Sequence, residues 1–106
     1  MLINGQKIAA EVKSQLKTLY GDDLREVFLF GSYARKEADN ESDVDVLIVL
    51  QTIDRYSQDV GKTSSLISSL SLKYGVSISR VFVSESDWVG GETPFLLNVR
   101  DEAIPA

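Results

Sequence analysis

The sequence predicts an α/β (α+β) fold: a small mixed β-sheet with helices packed on one face. Three observations lead there. Apolar residues recur at helical spacing over 4–20 and 55–74. They run almost unbroken over 25–30 and 44–50. They alternate with period two over 76–84. The resulting order, α-β-(short α)-β-α-β, suits a layered architecture. At 106 residues the chain is expected to form one domain over 1–106, with a single modest core.

The elements follow in turn. Asn4 can cap a first helix over 4–20, with Ile8, Val12, Leu16 and Leu19 as its apolar stripe and Gly21 as its stop. "REVFLF" (25–30) reads as a strand. "SYARKE" has helix-forming residues and a cap candidate in Ser32, and the polar loop "ADNES" follows. "VDVLIVL" (44–50) is the strongest strand in the chain. A long helix over 55–74 carries Tyr56, Val60, Ile67, Leu70 and Tyr74 on one stripe, and its serines, dense over 63–71, form a solvated face. "VSISRVFVS" (76–84) is a third strand. A short helix over 84–89 is broken by Gly90-Gly91, and Pro94 opens a last one around "FLLNV".

Composition removes several function classes. Neither cysteine nor histidine is present, which excludes disulfides, thiolate metal sites, imidazole zinc sites, and Ser-His or Cys-His catalysis. Any metal must be held by oxygen, which points to a hard ion such as Mg2+. The net charge of −5 offers no basic face for a large nucleic-acid footprint and suits a basic protein partner better. No apolar run reaches membrane-spanning length and the start has no leader pattern, so no membrane contact and a cytoplasmic location are expected.

The chemistry concentrates in "FLFGSYARKEADNESDVDVLIVL", residues 28–50. Aspartate is depleted in strands, yet Asp43 and Asp45 open the strongest one. At i and i+2 they point the same way, roughly 7 Å apart at Cα. Two like charges oppose each other's ionisation, and a divalent cation between them reverses that. The bland alternative is a pair of solvated gatekeepers flanking the strand. "DNESDVD" also resembles the opening of an EF-hand loop, but Val44 and Leu50 stand where that loop needs Gly and Glu.

Gly31-Ser32 closes the preceding strand and opens a helical turn, where free backbone N–H groups attract an anion. Glycine permits close approach, Ser32 adds a hydroxyl, and Arg35 lies one turn on. Taken alone, such a pair is a common turn. Combined with the acid pair at the start of the next strand, it supplies both halves of a phosphoryl-transfer site.

"GSYARKEADNESDVD" resembles the signature of the DNA-polymerase-β-like nucleotidyltransferase superfamily: Gly-Ser, a ten-residue spacer Tyr33–Ser42, then Asp-x-Asp. It is similar to the minimal nucleotidyltransferases (MNT), including MntA-type antitoxins paired with HEPN-domain toxins. "SISRVFVSESDW" and "TPFLLNVRDEAI" extend the resemblance over most of the chain. It implies a nucleotidyltransferase fold. Gly31 and Ser32 would hold the nucleotide triphosphate, joined by Arg35 as its reach suggests, and Asp43 and Asp45 would be catalytic and hold Mg2+. The implied reaction moves AMP from ATP to a tyrosine hydroxyl of a cognate HEPN toxin and neutralises it. The pattern departs in two places. Many members carry a third carboxylate on the next core strand, where this chain offers Ser77 and Ser79; Asp54, Asp59 and Glu85 are near only in sequence. Lys36 stands where glycine often follows "SxAR". Three readings follow: an enzyme using two aspartates, an antitoxin of the same fold that masks its toxin, or a transferase acting on a small-molecule hydroxyl.

Tyr33 could touch a base or ribose, or belong to the core or its rim. Trp88, Phe95, Leu96 and Leu97 are expected to close the core, with a docking patch as the alternative.

Overall fold

The computed structural model describes residues 4–106. Four strands lie in the order β3-β2-β1-β4, where β1 is Leu24–Phe30, β2 Val44–Leu50, β3 Ile78–Ser84 and β4 Ile104–Pro105. β2 runs antiparallel to β1 and parallel to β3, and β4 is antiparallel to β1. The helices are α1 (Gly5–Tyr20), α2 (Gly31–Ala34), α3 (Tyr56–Tyr74), α4 (Glu85–Gly90) and α5 (Pro94–Glu102). α3 is the crossover that a parallel β2–β3 pair requires.

Caps set the helix limits. The Asn4 side chain accepts from Lys7 N–H, and α1 stops at Gly21. α3 ends at Gly75, in the left-handed conformation with its N–H donated to Ser71 O. Ser84 caps α4, and Thr93 caps α5 just before Pro94.

The alternation of β2 divides the core. Val44, Val46, Ile48 and Leu50 pack with Ile8, Val12, Leu16, Ile67 and Leu70 from the two long helices. The two long helices share one sheet face, so the expectation of helices on one face holds for them, while α5 packs on the other. Leu47 and Val49 point to the other face, where Leu96 and Val99 of α5 cover them and Trp88 packs at the margin. Phe28 stacks on Trp88 with ring centroids 4.8 Å apart. Asp45 belongs to this second face by parity, two residues before Leu47.

Three helix positions differ from expectation, two on the apolar stripes and one, Thr63, in the stretch expected to be solvated. Leu19 is 38% exposed, because Tyr20 packs against the core instead and donates its hydroxyl to Asp59 at 2.7 Å. Tyr56 is 46% exposed at the start of α3; its hydroxyl accepts from the Phe82 N–H at 3.2 Å, and its ring meets Phe82 edge-on. Thr63 is fully buried between Val60 and Ile67. Its hydroxyl donates to Asp59 O at 2.8 Å and accepts from Arg80 Nε at 2.7 Å, so its burial leaves no polar atom unpaired. Arg80 also donates to Val60 O at 2.8 Å, tying β3 to α3. Among the described residues, no helix is long and apolar enough to cross a membrane.

Candidate active site

The site begins where β1 turns. Phe30 is the register partner of Asp45, so the residue after Phe30 meets the start of β2. That residue is Gly31, at φ +74, which disfavours any side chain. A Cβ there would also overlap the Asp45 carboxylate, with Asp45 Cγ at 3.1 Å and Cβ at 3.3 Å. Glycine is therefore required twice, for the backbone angle and for the approach of the acid. The bend and the acid meet at one rim of the sheet.

Asp45 is half-buried and Asp43 exposed just ahead of β2. Burial pushes the Asp45 pKa up, and the neighbouring Asp43 charge pushes the same way. Arg35 opposes the shift, while Glu102 adds to it. A bound cation would relieve this repulsion. Among the described residues, no group of three or more acidic side chains is placed to hold a metal. Two carboxylates nonetheless fit magnesium, which keeps several waters and takes further oxygens from a substrate phosphate.

Ser79 is the β3 register partner of Asp45. The position facing the acid pair from the next strand thus carries a hydroxyl in place of a third carboxylate. The acids near in sequence are engaged elsewhere: Asp59 accepts from Tyr20, and Glu85 faces Arg25 at 3.7 Å.

The turn after Gly31 is a single helical turn. Its N-cap is Phe30 and no side chain caps it, so Ser32 lies inside α2 rather than capping it. Arg35 N–H closes the turn onto Gly31 O, and Lys36 follows at φ +61. That left-handed conformation is unusual for a residue with a Cβ and natural for glycine. The Lys36 side chain is exposed. Arg35 is also exposed, and it is already paired, with Nε 3.2 Å from Glu37 and Nη1 2.8 Å from Glu102. Glu37 and then Glu102 push the Arg35 pKa further up.

Glu102 is the site residue that sequence reasoning missed. Its carboxylate accepts from Gly31 N–H at 3.1 Å as well as from Arg35. The cause is register: Leu29 faces Ile104 and Phe28 faces Pro105, and two more steps bring Glu102 beside Gly31. β4 spans only two residues, one of them proline, so no strand pattern announces it.

Tyr33 turns toward the α1 side. A Cβ on Gly5 would meet its ring at 2.8 Å, and it packs against the larger core cluster. Beside it a cleft of about 460 Å3 is lined by Asn4, Gly5, Leu29, Tyr33, Lys36 and Ile104, among others. The C-terminal apolar residues divide: Leu96 is buried and Trp88 partly so, while Phe95 is 42% and Leu97 51% exposed. Phe95 meets Phe30 edge-on at 5.7 Å, one residue from Gly31.

Comparison with known proteins agrees with this architecture. The family described as Nucleotidyltransferase domain matches residues 9–83, which include both the bend and the acid pair. The chain belongs to this nucleotidyltransferase family. It is 39% identical over 80 residues to "Putative protein adenylyltransferase MJ0141" of Methanocaldococcus jannaschii, covering 76% of this chain and 80% of that one. A structure described as a "putative minimal nucleotidyltransferase" superposes with a TM-score of 0.58 at 27% identity, covering 98% of this chain and 97% of its own. A toxin–antitoxin crystal structure with AMP-PNP superposes with a TM-score of 0.62 at 18% identity, covering 97% of this chain and 72% of its own. This nucleotidyltransferase thus has the fold of minimal relatives, with four mixed strands and five helices.

Proposed function

We propose that this chain is an Mg2+-dependent adenylyltransferase that moves AMP from ATP to a tyrosine hydroxyl of a partner protein, a HEPN-domain toxin, and so neutralises it. The observation that carries the proposal is the contact between the Asp45 carboxylate and Gly31. That contact sets one acid of the Asp-x-Asp pair beside the bend, which supports reading the two as one site.

In this reading the Gly31 N–H, the Ser32 hydroxyl and Arg35 hold the triphosphate. Asp43 and Asp45 would hold magnesium, which when bound supplies positive charge to the phosphate oxygens. The acceptor oxygen bonds to the α-phosphorus, the bond from that phosphorus to the bridging oxygen breaks, and pyrophosphate leaves. The acceptor's proton goes to a group of the partner or to water, because Ser79 is not a base near neutral pH. Support for a protein acceptor comes from the relative named as a protein adenylyltransferase. Support for a toxin partner and an adenine nucleotide comes from the toxin–antitoxin neighbour crystallised with AMP-PNP.

A second reading has the protein mask its toxin without modifying it. The hydroxyl of Ser79 opposite Asp45 favours it, because it leaves the acid pair without a third carboxylate. Labelled ATP, magnesium and the candidate toxin separate the two. The enzyme transfers label to the toxin, and Asp43→Ala with Asp45→Ala reduces transfer to background and abolishes neutralisation. Full neutralisation by the double variant without transfer establishes masking.

A further inference from the structure

Glu102 occupies the donors that a phosphate would use. Its Oε2 accepts from both Gly31 N–H, at 3.1 Å, and Arg35 Nη1, at 2.8 Å. The Glu102 side chain is only 22% exposed, whereas Glu37, the other partner of Arg35, is 65% exposed. The Glu102 pair is therefore the better shielded from water and salt, and the harder to replace. A single anionic oxygen bridging a backbone N–H and a guanidinium is what one phosphate oxygen does in such a seat.

We propose that Glu102 is an internal competitor for the phosphate seat, and that a nucleotide binds by expelling its carboxylate from Gly31 and Arg35. This rests on the nucleotidyltransferase reading of the site. Gly31 N–H is a single donor and cannot serve two anionic oxygens at bonding distance, and like charges so close repel, so a phosphate seated there forces the Glu102 carboxylate out. The side chain sits at the last position of α5, where rotation about its own bonds releases it. The strap behind it is held more firmly: β4 pairs with β1 through two residue pairs, with Ala106 N–H donating to Val27 O at 2.9 Å and Lys13 Nζ donating to Ala106 O at 3.1 Å. The measured affinity for nucleotide is then the intrinsic affinity scaled down by the fraction of molecules with Glu102 displaced. Glu102 is thus an affinity-setting residue held in the seat by the C-terminal strap.

The test is titration of wild type and Glu102→Gln with AMP-PNP in magnesium, and with tripolyphosphate, which carries the charge without the nucleoside. Glutamine keeps an acceptor for Gly31 and removes the competing charge. The variant is expected to bind both probes about three- to tenfold more tightly, corresponding to a minor fraction of competent wild-type molecules. Equal or weaker binding of AMP-PNP by Glu102→Gln, with wild type binding normally, overturns the Glu102 proposal alone. Tighter tripolyphosphate binding by the variant, with no AMP-PNP binding by either protein, supports the competitor and overturns the nucleotide reading. Binding of neither probe by either protein overturns both. A readout on wild type covers the case in which the variant does not fold. With 13C-labelled glutamate carboxyl groups, the Glu102 resonance should move on adding AMP-PNP, and an unmoved resonance in the saturated complex overturns the proposal.

Discussion

Gly75 and Gly31 both end an element at positive φ, at +63 and +74, yet they meet different surroundings. An added Cβ at Gly75 finds nothing within 4 Å. At Gly31 it runs into the Asp45 carboxylate. Gly75 is punctuation: it reverses the chain after α3 and nothing more depends on it. Gly31 is a reversal with a second task, since the lack of a side chain lets an acid from the neighbouring strand approach the backbone. The difference teaches that a turn glycine gains functional meaning from what lies opposite. Here that is fixed by the Phe30–Asp45 register.

The comparison can be broken by substitution. Gly31→Ala has the largest expected effect. It adds left-handed strain and displaces Asp45, so label transfer should fall to background while the protein remains folded, as circular dichroism would show. Retained transfer would uncouple the bend from the acid. Gly75→Ala carries the backbone cost alone, about 1–2 kcal/mol in a denaturant titration, with transfer per folded molecule unchanged.

A smaller effect is expected at Asp45. Its folded-state pKa is raised by burial first and by Asp43 second, with Arg35 opposing and Glu102 adding. A raised acid favours the folded state while protonated. The metal-free protein should therefore lose stability as pH rises from the ordinary carboxylate range through the raised pKa. Asp45→Asn should remove that slope and melt higher than wild type at neutral pH without divalent ions. A wild-type slope that persists in the variant assigns the effect elsewhere. The smallest effect is at Lys36, which holds φ +61 with a Cβ. Lys36→Gly relieves about 1–2 kcal/mol of strain, and the added freedom of the unfolded chain takes back about 0.5–1 kcal/mol. A net gain of about 0.5 kcal/mol should appear as a melting point a few degrees higher.

Much of this molecule was legible in its residues, for physical reasons. β2 was read over its full length because burial on both faces leaves an apolar run broken only by Asp45. α1 was legible through Asn4 and Gly21, and α5 through Pro94. The meeting of Gly31 with Asp45 was legible because both motifs sit at the ends of adjacent strands. What escaped were contacts between parts of the chain distant in sequence. Glu102 is one acid at the end of a short helix, and its place beside Gly31 depends on a two-residue strand pairing. Thr63 reads as polar, although its hydroxyl is satisfied within the helix and by Arg80. Leu19 reads as core, but the last turn of α1 presents Tyr20 there instead.

The hydroxyl of Tyr56 has a consequence for self-association. β3 is the outermost strand on its side of the sheet, and the Phe82 amide is held by that phenol. A second molecule seeking to extend the sheet by stacking its own backbone alongside finds this donor taken and an aromatic ring in its path. The same contact that fastens the start of the long helix therefore discourages fibre-like growth from this flank.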